Sequence, residues 1–156
     1  MQFGHIPADA FHRLSGLEIF MEMLAGRLPA PPICGTLDFI MTQAESGRVV
    51  FEGHPRAAFD NPLGAVHGGW AATLLDSAMA CAVHSTLAVG LAYTTVEMKL
   101  NYVRPITEAI GKVRCEGKIV SLGRTLATAE GRLTDARDRL LAHGTETCLI
   151  FAAKSA

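Results

Sequence analysis

Charged and aromatic side chains are both scarce in this chain of 156 residues, at 19% and 6% of its composition. No basic run interleaved with aromatics occurs and the formal net charge is −1, so the electrostatic footprint of a domain that grips nucleic acid is missing. Nine of the fourteen Lys and Arg residues do lie between Lys99 and Arg139, a half that could meet a small phosphorylated ligand. Cys34, Cys81, Cys115 and Cys148 form no CxxC pair and show no metal-ligand spacing. They read as buried free thiols. His5, His12, His84 and His143 share no spacing suited to a metal, and no Ser or Cys sits in a nucleophile-elbow sequence. Neither a metal site nor a serine triad is expected. The N-terminus carries no signal-peptide pattern, which leads to the expectation of a cytoplasmic protein. The uncharged stretch from 77 to 96 is diluted by His84, Gly90 and several Ser and Thr, so no membrane insertion is expected.

What is abundant is apolar residue, 49% of the chain, without low-complexity runs or repeats. A folded unit follows, of a length suited to one domain. Residues 9 to 28 place Phe11, Leu14, Leu17, Met21, Leu24 and Leu28 at three- and four-residue steps. This predicts one amphipathic docking helix ended by Pro29, Pro31 and Pro32. The organisation expected is an N-terminal helical extension over 1–30 and a main domain over 31–156. Two strand-like runs, 33 to 44 and 47 to 53, flank a hairpin turn at Glu45, Ser46 and Gly47. An irregular segment from His54 to Gly69 leads into a long helix, about Gly68 to Leu87. After Gly90 the period becomes two, with Val96, Met98, Leu100 and Tyr102 on an apolar face and Thr95, Glu97, Lys99 and Asn101 on a polar one. Further strands fit 109 to 121, 124 to 134 and 138 to 151. Because the stretch from 70 to 83 is almost wholly apolar, one helix buries all its sides only if the sheet curls around it. The fold class expected is therefore α+β.

Within that helix the only formal charge is Asp76, whose neighbours one turn away are Ala72, Thr73, Met79 and Ala80. Burying a lone carboxylate costs several kcal/mol, so its presence needs a reason. One reason is an ion pair with a core histidine or a strand lysine. The other is catalysis, with the small Ala72 and Ala80 leaving room for a substrate above the carboxylate. His67, Gly68 and Gly69 stand where the helix begins, and a helix start offers unpaired N–H groups and partial positive charge to a developing oxyanion. A plain glycine-rich turn is the alternative.

Taken together, Asn61-Pro62-Leu63-Gly64-Ala65-Val66-His67-Gly68-Gly69 followed by Leu74-Leu75-Asp76 resembles the signature of hotdog-fold acyl-CoA thioesterases of the phenylacetate-pathway (PaaI) branch. Downstream, Thr95 to Pro105 looks like that family's strand after the helix, and Gly123-Arg124 looks like its hairpin glycine-arginine; the resemblance covers about residues 33 to 151. It implies a hotdog fold, a curved antiparallel sheet around one long helix, and hydrolysis of an acyl-CoA to free acid and coenzyme A. It further implies that the Gly69 N–H, with Gly68 beside it, holds the thioester carbonyl and that Asp76 acts as general base or nucleophile. Asn61 would place water or thioester from the neighbouring subunit, so a homodimer or dimer of dimers is expected. His67 is read either as a direct participant or as a loop anchor. For a water-orienting hydroxyl the resemblance points to Thr95, whereas strand alternation puts Thr94 on the apolar face. Lys99, Arg104 and Arg124, the last beside Gly123, are candidates for the coenzyme A phosphates. No cofactor beyond the coenzyme A of the substrate is expected, and the acyl group is read as small to medium or aromatic, with Trp70 and Phe59 near. Two other readings are a noncatalytic acyl-CoA sensing module and an acyl-thioester hydratase or dehydratase, the latter suggested by Gly53-His54-Pro55.

Overall fold

The computed structural model of the chain describes residues 2 to 153. Its N-terminal part differs most from the sequence pattern. In place of one helix over 9 to 28, a 3₁₀ turn at Ala8–His12 precedes helix α1 at Gly16–Leu24, and a short helix α2 follows at Pro32–Thr36. The break has a local cause. The Ser15 hydroxyl accepts from the Glu18 N–H while the Glu18 carboxylate accepts from the Ser15 N–H at 2.8 Å, a capping box that starts a new helix. Gly26, not Pro29, ends α1: at φ 74° its N–H reaches the Met23 carbonyl and the Arg27 N–H reaches that of Glu22.

Six strands follow, β1 Phe39–Glu45, β2 Arg48–Gly53, β3 Leu91–Tyr102, β4 Val113–Leu122, β5 Leu126–Asp135 and β6 Leu140–Ala152, with the long helix α3 at Gly68–His84 between β2 and β3. The strand expected from 33 begins only at 39 because Pro32 opens a helix. That expected from 109 begins at 113, after a 3₁₀ turn at Glu108–Ile110. The strands form one antiparallel sheet in the order β1-β2-β4-β5-β6-β3, which leaves β1 and β3 as its edges.

The sheet curls around α3, and Trp70, Leu74, Leu75, Ala78, Met79 and Val83 are all buried in the contact. This is the hotdog arrangement. Gly117 on β4 permits the closest approach, since a Cβ there would overlap the Ala78 carbonyl of the helix. The N-terminal segment is fastened to the far end of the same helix: the Gly16 N–H donates to the Leu87 carbonyl at 3.0 Å, and a Cβ on Gly16 would overlap the His84 carbonyl. Ile19 and Phe20 are buried behind that contact. Among the described residues no helix is long and apolar enough to cross a membrane.

One irregularity positions the site. Thr95 pairs with Cys148 but Glu97 pairs with Thr147, so Val96 is an extra residue on β3. Such a bulge inverts the alternation of the strand. Tyr93 and Thr95 turn toward α3 before it, and Met98 and Leu100 after it. Val96, expected on the apolar face, is 54% exposed, and Thr95, expected on the polar face, points inward.

Candidate active site

Asp76 sits mid-way along α3, half-buried, where no Lys, Arg or His forms an ion pair with it among the described residues. Its partner is a hydroxyl instead: Thr95 Oγ1 lies 3.2 Å from Asp76 Oδ1. Burial raises the Asp76 carboxyl above the ordinary aspartate range, and the Thr95 bond opposes that shift. Asp76 opens onto a cleft of about 500 Å³ that Ala80, Ala92 and Thr94 also line. Ala80 therefore provides the room expected above the carboxylate, while Ala72 is not one of the walls.

A second carboxylate joins the first. Glu146 on β6 is 1% exposed, and its Oε1 lies 2.6 Å from Thr95 Oγ1 and 3.2 Å from Cys148 Sγ. Its Oε2 is buried and has no hydrogen-bond partner among the described residues. Burial pushes the Glu146 carboxyl up to about 7 against the Thr95 and Cys148 bonds, and the nearby Asp76 charge adds to the rise. Sequence reading missed Glu146, although a signal existed. Along β6 the even positions Ala142, Gly144, Cys148 and Ile150 are buried, so a glutamate at 146 carries inward parity.

Thr95 has one proton and two carboxylates beside it, so it can donate fully to only one of them. The other must protonate and donate to the threonine oxygen, or stay weakly held. Of the two, Glu146 is the more reluctant to ionise. The chain Glu146, Thr95, Asp76 is thus a connected acid, hydroxyl and carboxylate whose exposed end is Asp76.

The start of α3 forms a separate group. His67 is its N-cap, and His67 Nδ1 accepts from the Gly69 N–H at 2.8 Å, the loop-anchoring arrangement. The Gly69 N–H is thereby engaged within its own chain. Asn61 Oδ1 accepts from the N–H groups of Leu63 and Ala65 at 2.8 and 3.4 Å, shaping the turn before the helix. Tyr102 donates its hydroxyl to the Gly68 carbonyl at 3.1 Å. Asn61, Gly68, Tyr102 and Arg104 line a cleft of about 300 Å³ that excludes Asp76.

Seven residues separate Gly69 from Asp76 on one helix, a rise of about 10 Å. One chain therefore does not bring the helix start and the carboxylate together. The two arginines divide in the same way. Arg104 stays at the helix-start end, donating to the Leu140 carbonyl at 2.5 Å. Gly123 and Arg124 form the β4–β5 turn near the Thr95 end, because Ala127 pairs with Cys148 and Cys148 with Thr95. Two strand spacings, roughly 10 Å, separate that turn's strand from Thr95.

The chain matches the thioesterase superfamily over residues 63–142, and it belongs to that family. The matched region contains Gly68, Gly69, Asp76 and Thr95, while Asn61 and Glu146 lie outside it. A phenylacetic acid degradation-related protein from Ralstonia eutropha, named as a candidate thioesterase, is 30% identical with a TM-score of 0.76, over 83% of this chain and 98% of its own. A thioesterase family protein from Silicibacter pomeroyi is 26% identical with a TM-score of 0.74, over 94% of this chain and 99% of that one. A Streptococcus mutans protein solved with acetyl-CoA bound shares the fold, at 24% identity and a TM-score of 0.68, over 76% of this chain and 92% of that one. A candidate esterase from Halobacterium salinarum is 35% identical over 88 residues, 55% of this chain. The match spans 56% of that relative's length. Thioester hydrolysis is the reaction class these relationships support.

Proposed function

We propose that the protein is an acyl-CoA thioesterase, hydrolysing small to medium or aromatic acyl-CoA to the free acid and coenzyme A, with Asp76 as its catalytic carboxylate. The observation that carries this reading is the Thr95 bond to a half-buried Asp76 at the edge of a cleft. Asp76 as general base takes a proton from water while the water oxygen adds to the thioester carbonyl carbon. The C–S bond then breaks, and the leaving thiolate recovers the proton from Asp76. Thr95 fixes the carboxylate rotamer, and Glu146 at the buried end discourages Asp76 from turning inward. The expected yield of a positioned base is about a hundredfold or more in rate.

Donors for the developing oxyanion come from the helix start of a second copy, with Asn61 beside them and the Gly69 N–H shared between His67 Nδ1 and the oxyanion, since the roughly 10 Å rise of α3 over about seven residues keeps them from the carboxylate of their own chain. The long edge strand β3, with Val96 exposed beside Thr95, is the surface along which two copies would meet as a homodimer or a dimer of dimers. His67 acts as an anchor of that donor group, and Arg104 and Arg124 meet the coenzyme A phosphates from opposite halves. The bound acetyl-CoA of the Streptococcus mutans protein is compatible with this ligand class on the shared fold. No cofactor beyond the substrate's coenzyme A enters the scheme, and the compartment proposed is the cytoplasm. A thiol-release assay across acetyl-, hexanoyl-, octanoyl-, palmitoyl- and phenylacetyl-CoA tests the reading. Turnover of at least one is expected, and release from none of these or of other thioesters at high enzyme concentration would sink it.

A further inference from the structure

The N-terminal segment roofs a second cavity. About 200 Å³ of space lies between α1 and the sheet, walled by Phe20 and Met23 from α1, Phe51 from β2 and Tyr93 from β3. Cys34, Phe51, Cys81, His84 and Tyr93 wall both this cavity and the Asp76 cleft, so the two adjoin across those side chains. Asp76, Ala80 and His84 follow each other at four-residue steps along one face of α3. Together the two extend from the carboxylate about 12 Å along the helix to the level of His84, on which Gly16 presses.

Its surface selects by chemistry. Burial pushes His84 down to about 4, so its ring is neutral near pH 7, and it packs edge-on against Phe11 and Phe20 and tilted against Tyr93. The Cys34 thiol is pushed up to about 11 and stays protonated. A charged or strongly polar group placed here would lose its water and gain no countercharge. Protein interiors rarely keep voids larger than a water molecule, so a cavity of this size beneath a capped, anchored helix asks for an occupant. An apolar cavity of about 150 Å³ is large enough to take benzene.

We propose that this cavity is the acyl subsite, and that residues 2 to 36 act as its roof and select thioesters whose acyl group ends in an uncharged apolar body of phenyl to medium-chain size. The proposal rests on the thioesterase reading of Asp76. A two-carbon acyl group ends at the Asp76 cleft and leaves the cavity unfilled. A very long chain exceeds a cavity of about 200 Å³. The roof lies outside the region that matches the thioesterase superfamily.

Two substitutions on the roof test this without touching Asp76, Thr95 or Glu146. Ala30→Phe fills the cavity and Met23→Ala enlarges it, both positions being wall residues. Values of kcat/KM are measured for acetyl-, hexanoyl-, octanoyl-, palmitoyl- and phenylacetyl-CoA, together with calorimetric binding of the nonhydrolysable thioether S-octyl-CoA and a thermal melt of each variant. In the wild type, octanoyl- and phenylacetyl-CoA should exceed acetyl-CoA by tenfold or more, the scale that pocket contacts with a few carbons supply. Ala30→Phe should lower those two by about tenfold, leave acetyl-CoA within about twofold and weaken the thioether. Met23→Ala should move the preference toward longer chains. Equal loss for every substrate, or no change for any, in a variant that melts like the wild type overturns the roof as selector. If the wild type turns over no thioester, the thioesterase reading fails instead. The thioether arm then decides the cavity separately: binding that Ala30→Phe abolishes supports it, and binding indifferent to Ala30→Phe, or none, overturns it.

Discussion

The Thr95 hydroxyl lies 2.6 Å from Glu146 and 3.2 Å from Asp76, so a single proton donor joins two acids drawn from a strand and a helix. The shorter contact goes to the carboxyl that has no access to water. Asp76, which faces the cleft, is left with the weaker bond and the freedom to accept a proton from a substrate water.

Replacing Asp76 by Asn keeps the shape and the Thr95 contact while removing the base. Asp76→Asn should melt within a few degrees of the wild type and lose at least about a hundredfold in kcat, read by thiol release with a matched thermal melt. Near-normal turnover would remove Asp76 from the mechanism.

Glu146 gives a pH signature in stability. Its folded carboxyl titrates at about 7, above the ordinary value of 4.5, so folding favours the protonated form. That contribution is complete below about pH 4.5 and is lost as pH rises through 7. Glu146→Gln cannot ionise, so the Tm of Glu146→Gln minus that of the wild type should grow between pH 5 and pH 8. A difference independent of pH would show that Glu146 does not hold its proton in the fold.

His84 has the opposite dependence. Its folded ring titrates at about 4 against an ordinary 6.5, so folding favours the neutral form and loses stability as pH falls from 6.5 toward 4. His84→Leu lacks that loss. The Tm of His84→Leu relative to the wild type should rise from pH 7 to pH 4.5, whatever the packing offset at neutral pH. A flat difference would mean that the ring is protonated in place.

A shared site can be tested by complementation. Chains carrying only Asn61→Ala and chains carrying only Asp76→Asn, each inactive alone, are mixed and allowed to exchange. A mixed dimer then contains one site with both defects and one with neither. Random reassortment makes about half of all dimers mixed, so activity should approach about a quarter of the wild-type value. Exchange shown by mass-tagged chains without any return of activity would place Asn61 and Asp76 in one chain's site.

Much of the molecule is written in local pattern. The apolar run from 70 to 83 specifies a helix with no solvent face, the glycine punctuation specifies turns, and together they call for a sheet curled around α3. Asp76 is conspicuous in the sequence because a lone charge in such a helix is expensive and rare. The direction in which Thr95 points could not be read this way. A bulge at Val96 inverts strand parity, and a bulge is set by pairing with β6 rather than by the composition of β3. Glu146 did carry inward parity on β6, but that parity acquires chemical meaning only when β3 and α3 are laid against it. The break between the 3₁₀ turn and α1 was visible as Ser15 and Glu18, yet the apolar period running through it suggested one helix. Period and capping residues are local properties and belong to the sequence. The partners of a hydroxyl, the burial that moves a carboxyl to 7 and the space under α1 arise from distant segments brought together, and only the tertiary structure decides them.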